Sequence, residues 1–121
     1  MTVFDASALL AYLRGEPGSR AVREQLEAGG VCGAANWPEA AQKVRASGAD
    51  WGLARSLLLS FDVTIEPVTE ADAEHAATLW RQGSGLSLGD RLCLSLAARL
   101  GVTTLTADTQ WRGMPGVTLI R

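Results

Sequence analysis

The sequence is poor in the residues that mark several kinds of chemistry. It holds two cysteines in 121 residues, Cys32 and Cys93, and neither stands in a CxxC or Cys/His spacing. They read as buried free thiols in a strand and a helix, not as a disulfide or a zinc site. The single histidine, His75, has no partner motif and reads as an ordinary helix residue. Lysine occurs once, at Lys43, among eleven basic residues, and no Lys/Arg run marks a surface. With a formal net charge of −2, the chain lacks the basic excess of a general nucleic-acid coating protein. No apolar run approaches the ~20 residues that span a bilayer, and no basic segment precedes an apolar stretch at the N-terminus. A soluble, cytoplasmic protein without membrane contact is expected. Internal repeats and low-complexity tracts are also missing.

What the sequence does contain is apolar content and order. At 47% hydrophobic and 20% charged, residues 1–121 have the make-up of one domain with its own core. Five short β-type runs, Val3-Phe4, Val31 to Gly33, Val63 to Val68, Val102 to Thr106 and Val117 to Ile120, alternate with helical patterns. That alternation implies a mostly parallel sheet with helices on its faces, an α/β fold. Leu9, Leu10 and Leu13 begin the helical series, which Gly15-Glu16-Pro17-Gly18 interrupts. Ala21, Val22 and Leu26 follow, up to Gly29-Gly30. Trp37, Ala40, Ala41 and Val44 form a buried stripe, and a further helix is expected from about Trp51 to Ser60. Ala73, Ala76, Ala77 and Trp80 repeat the stripe spacing, and Leu88, Leu92, Leu96 and Leu100 recur at i+4.

Four acids stand where such a fold gathers side chains. Asp5 and Asp108 directly follow strands, while Glu39 and Asp90 lie in first turns of helices. Strand C-termini and helix N-termini share one edge of a parallel sheet, where ligands bind and helix dipoles favour anions. Ionised carboxylates collected there repel by roughly 4 kcal/mol per pair at ~4 Å and an effective dielectric of ~20. A divalent cation is a reason to assemble them, which points to metal-assisted hydrolysis of a phosphodiester. Mg²⁺ or Mn²⁺ prefers carboxylate and water oxygens and lowers the pKa of bound water. Ser7 and Thr106, two residues from Asp5 and Asp108, are candidates for holding a metal-bound water or a phosphate oxygen. Each group also has a plain alternative as a helix cap. Asn36-x-x-Glu39, Thr69-x-x-Asp72 and Ser87-x-x-Asp90 all have capping-box form.

These segments together resemble PIN-domain ribonucleases, and specifically the VapC-type toxins of bacterial toxin–antitoxin pairs. The segments are VFDASALLAYL with Asp5, NWPEAAQKV with Glu39, LSLGDRLCLSLA with Asp90 and TLTADTQW with Asp108. The resemblance implies a PIN-like three-layer fold around a parallel five-stranded sheet of order 3-2-1-4-5, and endonucleolytic cutting of RNA with Mg²⁺ or Mn²⁺. It further implies that Asp5 and Asp90 hold the metal and that Asp108 completes the coordination directly or through water. Glu39 then orients or activates the attacking water. A homodimer is implied too, inhibited by a small DNA-binding antitoxin whose tail enters the acidic groove. Arg91, beside Asp90, is open to a role in RNA contact or self-association.

Of the tryptophans, Trp37 and Trp80 read as core, and Trp111, just past Asp108, as a candidate base-stacking contact. Arg14, Arg20 and Arg23 near the Gly-Pro break are candidate RNA or partner contacts, with solvated helix faces as the default. A phosphoacceptor domain fits poorly, because strand three runs into Glu66-Pro67-Val68 and the one lysine lies inside a helix. A haloacid-dehalogenase-like phosphatase would want an aspartate where Ser7 stands. The remaining alternative is a catalytically inactive PIN fold that binds RNA or a partner.

Overall fold

The computed structural model describes residues 1–121. In chain order its elements are β1 (Thr2–Phe4), α1 (Ala6–Arg14), α2 (Ser19–Ala28), β2 (Gly30–Gly33), α3 (Trp37–Ala46) and α4 (Trp51–Leu59). There follow β3 (Val63–Glu66), α5 (Glu70–Thr78), α6 (Leu88–Leu100), β4 (Thr103–Thr106), a 3-10 turn (Thr109–Trp111) and β5 (Val117–Leu119). All four strand pairings are parallel and the order is β3-β2-β1-β4-β5. This is the sheet order that the PIN-domain resemblance implies. β1 is the point from which the chain first builds outward to β2 and β3, and later returns on the other side to β4. Side chains at the carboxyl ends of β1 and β4 therefore border the switch in strand order, where open α/β sheets bind ligands.

The pleat divides the core into two layers. Phe4, Cys32 and Leu105 face α1, α2 and α4, packing with Ala8, Leu9, Val22, Leu26 and Leu58. Val3 and Val31, their immediate neighbours in the strands, face the opposite way onto Cys93, Leu96 and Ala97 of α6 and onto Trp111. Alternate residues of a strand point to opposite faces, so two adjacent apolar residues serve two separate cores. Gly30 opens β2 because a Cβ there would strike the Thr2 carbonyl across the pairing with β1.

Two helical stripes differ from the expectation. Leu88 is 60% exposed, and α6 buries Cys93, Ser95, Leu96 and Ala97 instead of a line of leucines. An i+4 series advances by ~40° per step on a helix of 3.6 residues per turn, so Leu88 and Leu100 cannot both face the sheet. Trp80 lies beyond the end of α5 and is likewise 60% exposed, while α5 buries Asp72 and Ala76. Buried Asp72 is held by Arg99 Nε at 2.8 Å and closes a capping box with Thr69. Burial acts to raise its pKa, but the hydrogen bonds from Arg99 and Thr69 outweigh it and hold the carboxyl below the usual carboxylate value. Trp111, a candidate base-stacking contact in the sequence, is fully buried in the α6-side core.

Candidate active site

β1 ends at Phe4, and Asp5 follows as the N-cap of α1 in an extended conformation. Its side chain does not cap the helix. It is 4% exposed and receives two hydroxyl hydrogen bonds on one oxygen, Oδ2. Ser7 Oγ donates from α1 at 2.6 Å and Thr106 Oγ1 from the end of β4 at 2.9 Å. Each hydroxyl in turn accepts a backbone N–H from the turn after β4, Ser7 from Ala107 and Thr106 from Asp108. Both hydroxyl protons are thus committed to Asp5, and Asp5 Oδ1 carries no protein hydrogen bond. The sequence offered Ser7 and Thr106 as candidates for a metal-bound water or a phosphate oxygen, with helix caps as the alternative; here both hydroxyls bond the Asp5 carboxylate.

The other three acids each have a local partner. Asp90 completes the capping box of α6, accepting from Ser87 N at 2.9 Å through Oδ2. Asp108 accepts from Gln110 N at 2.9 Å as the cap of the 3-10 turn. Glu39 makes no capping box, because the Asn36 side chain turns elsewhere. Asn36 Nδ2 donates to the Gly89 carbonyl at 3.0 Å, tying the start of α3 to the start of α6. Glu39 instead meets Lys43 one turn on, with Nζ to Oε1 at 2.9 Å.

Asp5, Glu39, Asp90 and Asp108 nevertheless line one open cleft of about 350 Å³, with Ser7 on its wall. Arg14, Lys43 and Arg121 line the same cleft. Desolvation pushes the Asp5 carboxyl above its ordinary pKa, and the negative charges of Asp90 and Glu39 push the same way. The Ser7 and Thr106 hydrogen bonds oppose the rise without cancelling it. Asp90 is raised as well, by burial first and then by Asp108 and Glu39, against the hydrogen bonds from Ser87. As the side chains stand, no three acidic, histidine or cysteine groups converge into a set that could hold a metal ion. Glu39, Asp90 and Asp108 are each drawn to a local donor, which keeps like charges apart. The donor set itself is all hard oxygen, with one unbonded oxygen on Asp5, and suits a hard divalent cation.

Several nearby residues take no part. Cys32 and Cys93 are buried. Burial, with the charge of Asp5 adding to it, pushes the Cys32 thiol up to about 12 and the Cys93 thiol well above its usual value. Neither is poised as a nucleophile. Arg91 turns away from the acids and donates to the Ala76 carbonyl at 3.1 Å, joining α6 to α5. His75 Nδ1 meets Ser95 Oγ at 2.9 Å on that same helix pair. Asn36 was treated in the sequence only as a cap; nothing local shows that its partner lies 53 residues away.

A five-stranded parallel sheet of this order, with a carboxylate cleft at its switch point, defines a small α/β fold of PIN type. The PIN domain family matches residues 2–117, and the chain belongs to that family, whose members are generally nucleases. A solved structure described as a toxin–antitoxin complex from Klebsiella pneumoniae superposes with a TM-score of 0.77 at 23% identity. The match covers 100% of this chain and 98% of that one. No curated protein matches the sequence. None of the helices is long and apolar enough to cross a membrane.

Proposed function

We propose that the protein is a Mg²⁺- or Mn²⁺-dependent endoribonuclease that acts as the toxin of a toxin–antitoxin pair. The observation that carries the reading is the meeting of Asp5, Glu39, Asp90 and Asp108, drawn from four separate elements, in one cleft beside the β1–β4 switch point. Asp5 and Asp90 are the residues to hold the cation, with Asp108 completing its shell. When bound, the cation neutralises the carboxylates, polarises the phosphodiester and lowers the pKa of a water. Ser7 and Thr106 keep Asp5 in one rotamer with Oδ1 presented. Asn36 ties the N-terminus of α3, which carries Glu39, to that of α6, which carries Asp90. Glu39 orients the attacking water and accepts its proton, for which it must leave Lys43.

The toxin assignment is supported by the fold shared with a chain of the Klebsiella complex over its full length. A cognate small DNA-binding antitoxin, a homodimeric assembly and a cytoplasmic setting belong to the same reading. An antitoxin arginine entering the cleft would pair with the carboxylates and exclude the metal.

The test is cleavage of total cellular RNA by purified protein in Mn²⁺ or Mg²⁺, beside an EDTA control and Asp90→Asn. Cleavage lost in both controls supports the reading. Intact RNA after incubation with folded, metal-supplied protein would replace it with the binding-only PIN fold.

A further inference from the structure

The acidic cleft also contains cations, and they are not equivalent. Lys43 is held by Glu39 at 2.9 Å. Arg121 donates to the Pro17 carbonyl at 2.9 Å and lies 3.8 Å from Glu16. Arg14 lines the same cleft, is exposed, and takes part in none of the protein's salt bridges or side-chain hydrogen bonds. Its position follows from the register of α1. Ser7, Leu10 and Arg14 stand at i, i+3 and i+7, so they share one face of the helix, and all three line the cleft. Seven residues at 1.5 Å each place Arg14 about 10 Å along the helix from Ser7, the residue that holds Asp5. The helix stops there, with Gly15 as a left-handed C-cap.

A polyanion entering this cleft meets Asp5, Glu16, Glu39, Asp90 and Asp108. A cation at the acids relieves that repulsion at one end only. In the resting protein Lys43 and Arg121 are paired with Glu39 and Glu16, and of the two arginines in the cleft Arg14 alone has an uncommitted planar fork. Guanidinium forks bind phosphate oxygens in pairs. We infer that Arg14 is a substrate-binding residue, its guanidinium taking a phosphodiester of the RNA strand that flanks the one lying at the acids. The choice of RNA rests on the nuclease reading above. Arg20 and Arg23, close in sequence, border a different hollow with Tyr12 and Ser19, and Arg23 is paired with Glu27 at 3.0 Å. They fall outside the proposed path, and Arg20 supplies a control.

The experiment measures binding of a labelled single-stranded RNA oligonucleotide by fluorescence anisotropy across a salt series. Ca²⁺ replaces Mg²⁺ as the oxygen-seeking cation. Arg14→Ala is expected to weaken binding ~10-fold and to reduce the magnitude of the log–log salt slope by ~0.7, the value for one phosphate contact on a single strand. Arg14→Lys keeps the slope and recovers part of the affinity, while Arg20→Ala matches wild type. In Mn²⁺ turnover, Arg14→Ala raises KM and leaves kcat near wild type. An Arg14→Ala protein with wild-type affinity and slope overturns the inference, as does a wild-type protein that does not bind the RNA. Wild type that cleaves RNA while Arg14→Ala is indistinguishable from it sinks the inference alone. Wild type that binds with the Arg14-dependent slope but never cleaves sinks the nuclease reading alone.

Discussion

Ser7 and Thr106 lie 99 residues apart in the chain, and their hydroxyl oxygens stand 3.1 Å apart. They meet because β1 and β4 are neighbours in the sheet, and each directs its proton to the same oxygen of Asp5. The charged form of Asp5 is stabilised by these two bonds in a site where burial and neighbouring acids oppose it.

Removing either hydroxyl, as Ser7→Ala or Thr106→Val, takes away an interaction that lowers the Asp5 pKa, so that pKa rises further. In the proposed mechanism the cation is held by ionised Asp5, so the acidic limb of the cleavage profile is expected to move to higher pH. Cleavage at neutral pH is expected to fall by ~10–100-fold, as for other groups that orient a ligand. A pH–rate profile of each variant checks this. An unmoved acidic limb would show that the hydroxyls do not tune Asp5.

Asp5→Asn separates stability from activity. A carboxyl whose folded pKa is raised prefers to be protonated in the folded state. Its cost to stability is absent below the unfolded value of 3.8 and grows as pH rises through the folded value. The neutral amide keeps an oxygen for Ser7 and Thr106 and removes that cost. The variant should melt above wild type at pH 7 in EDTA, with the gap closing as pH falls below the usual carboxylate range, and should not cleave RNA. Thermal melts at several pH values decide the point. Mg²⁺ should raise the wild-type Tm and leave the variant unchanged.

The two tryptophans that the structure reassigns should respond oppositely to truncation. Trp111 is wholly buried among Val3, Val31 and Leu96, and Trp111→Ala is expected to cost ~3–5 kcal/mol. Trp80 is 60% exposed, and Trp80→Ala should stay within ~0.5 kcal/mol in the isolated chain. Urea unfolding followed by far-UV circular dichroism measures both. Equal losses would mean that Trp80 is packed in solution.

Asp72 titrates in the other direction from Asp5. Its pKa is lowered, so the stability it contributes is present above the unfolded value and is lost as pH falls through the lower folded value. Thr69→Ala, which removes half of the α5 capping box, should cost ~1 kcal/mol and leave RNA cleavage intact, since Thr69 is outside the cleft. Urea midpoints at neutral pH, paired with cleavage assays, test this. A parallel loss of activity would show that α5 supports the cleft.

The sequence by itself determined the element order, and through it the parallel sheet and the edge that carries Asp5, Glu39, Asp90 and Asp108. Those are consequences of local periodicity and of short connections, which act along the chain. The α6 box formed by Ser87 and Asp90 was legible for the same reason, its donor and acceptor being three residues apart. Local pattern also misled, as in the leucine series of α6, whose spacing drifts off the buried face, and in Trp80, which lies past the end of its helix. Only the tertiary structure decided which groups hold the acids. The Thr106 hydroxyl reaches Asp5 because β4 lies beside β1. Asn36 leaves its own helix for Gly89 because the N-termini of α3 and α6 converge, and Arg14 enters the cleft through the rotation of α1. A hydrogen bond forms between atoms a few ångströms apart in space whatever their separation in sequence, so these partners exist only once the sheet order has brought their strands and helices together.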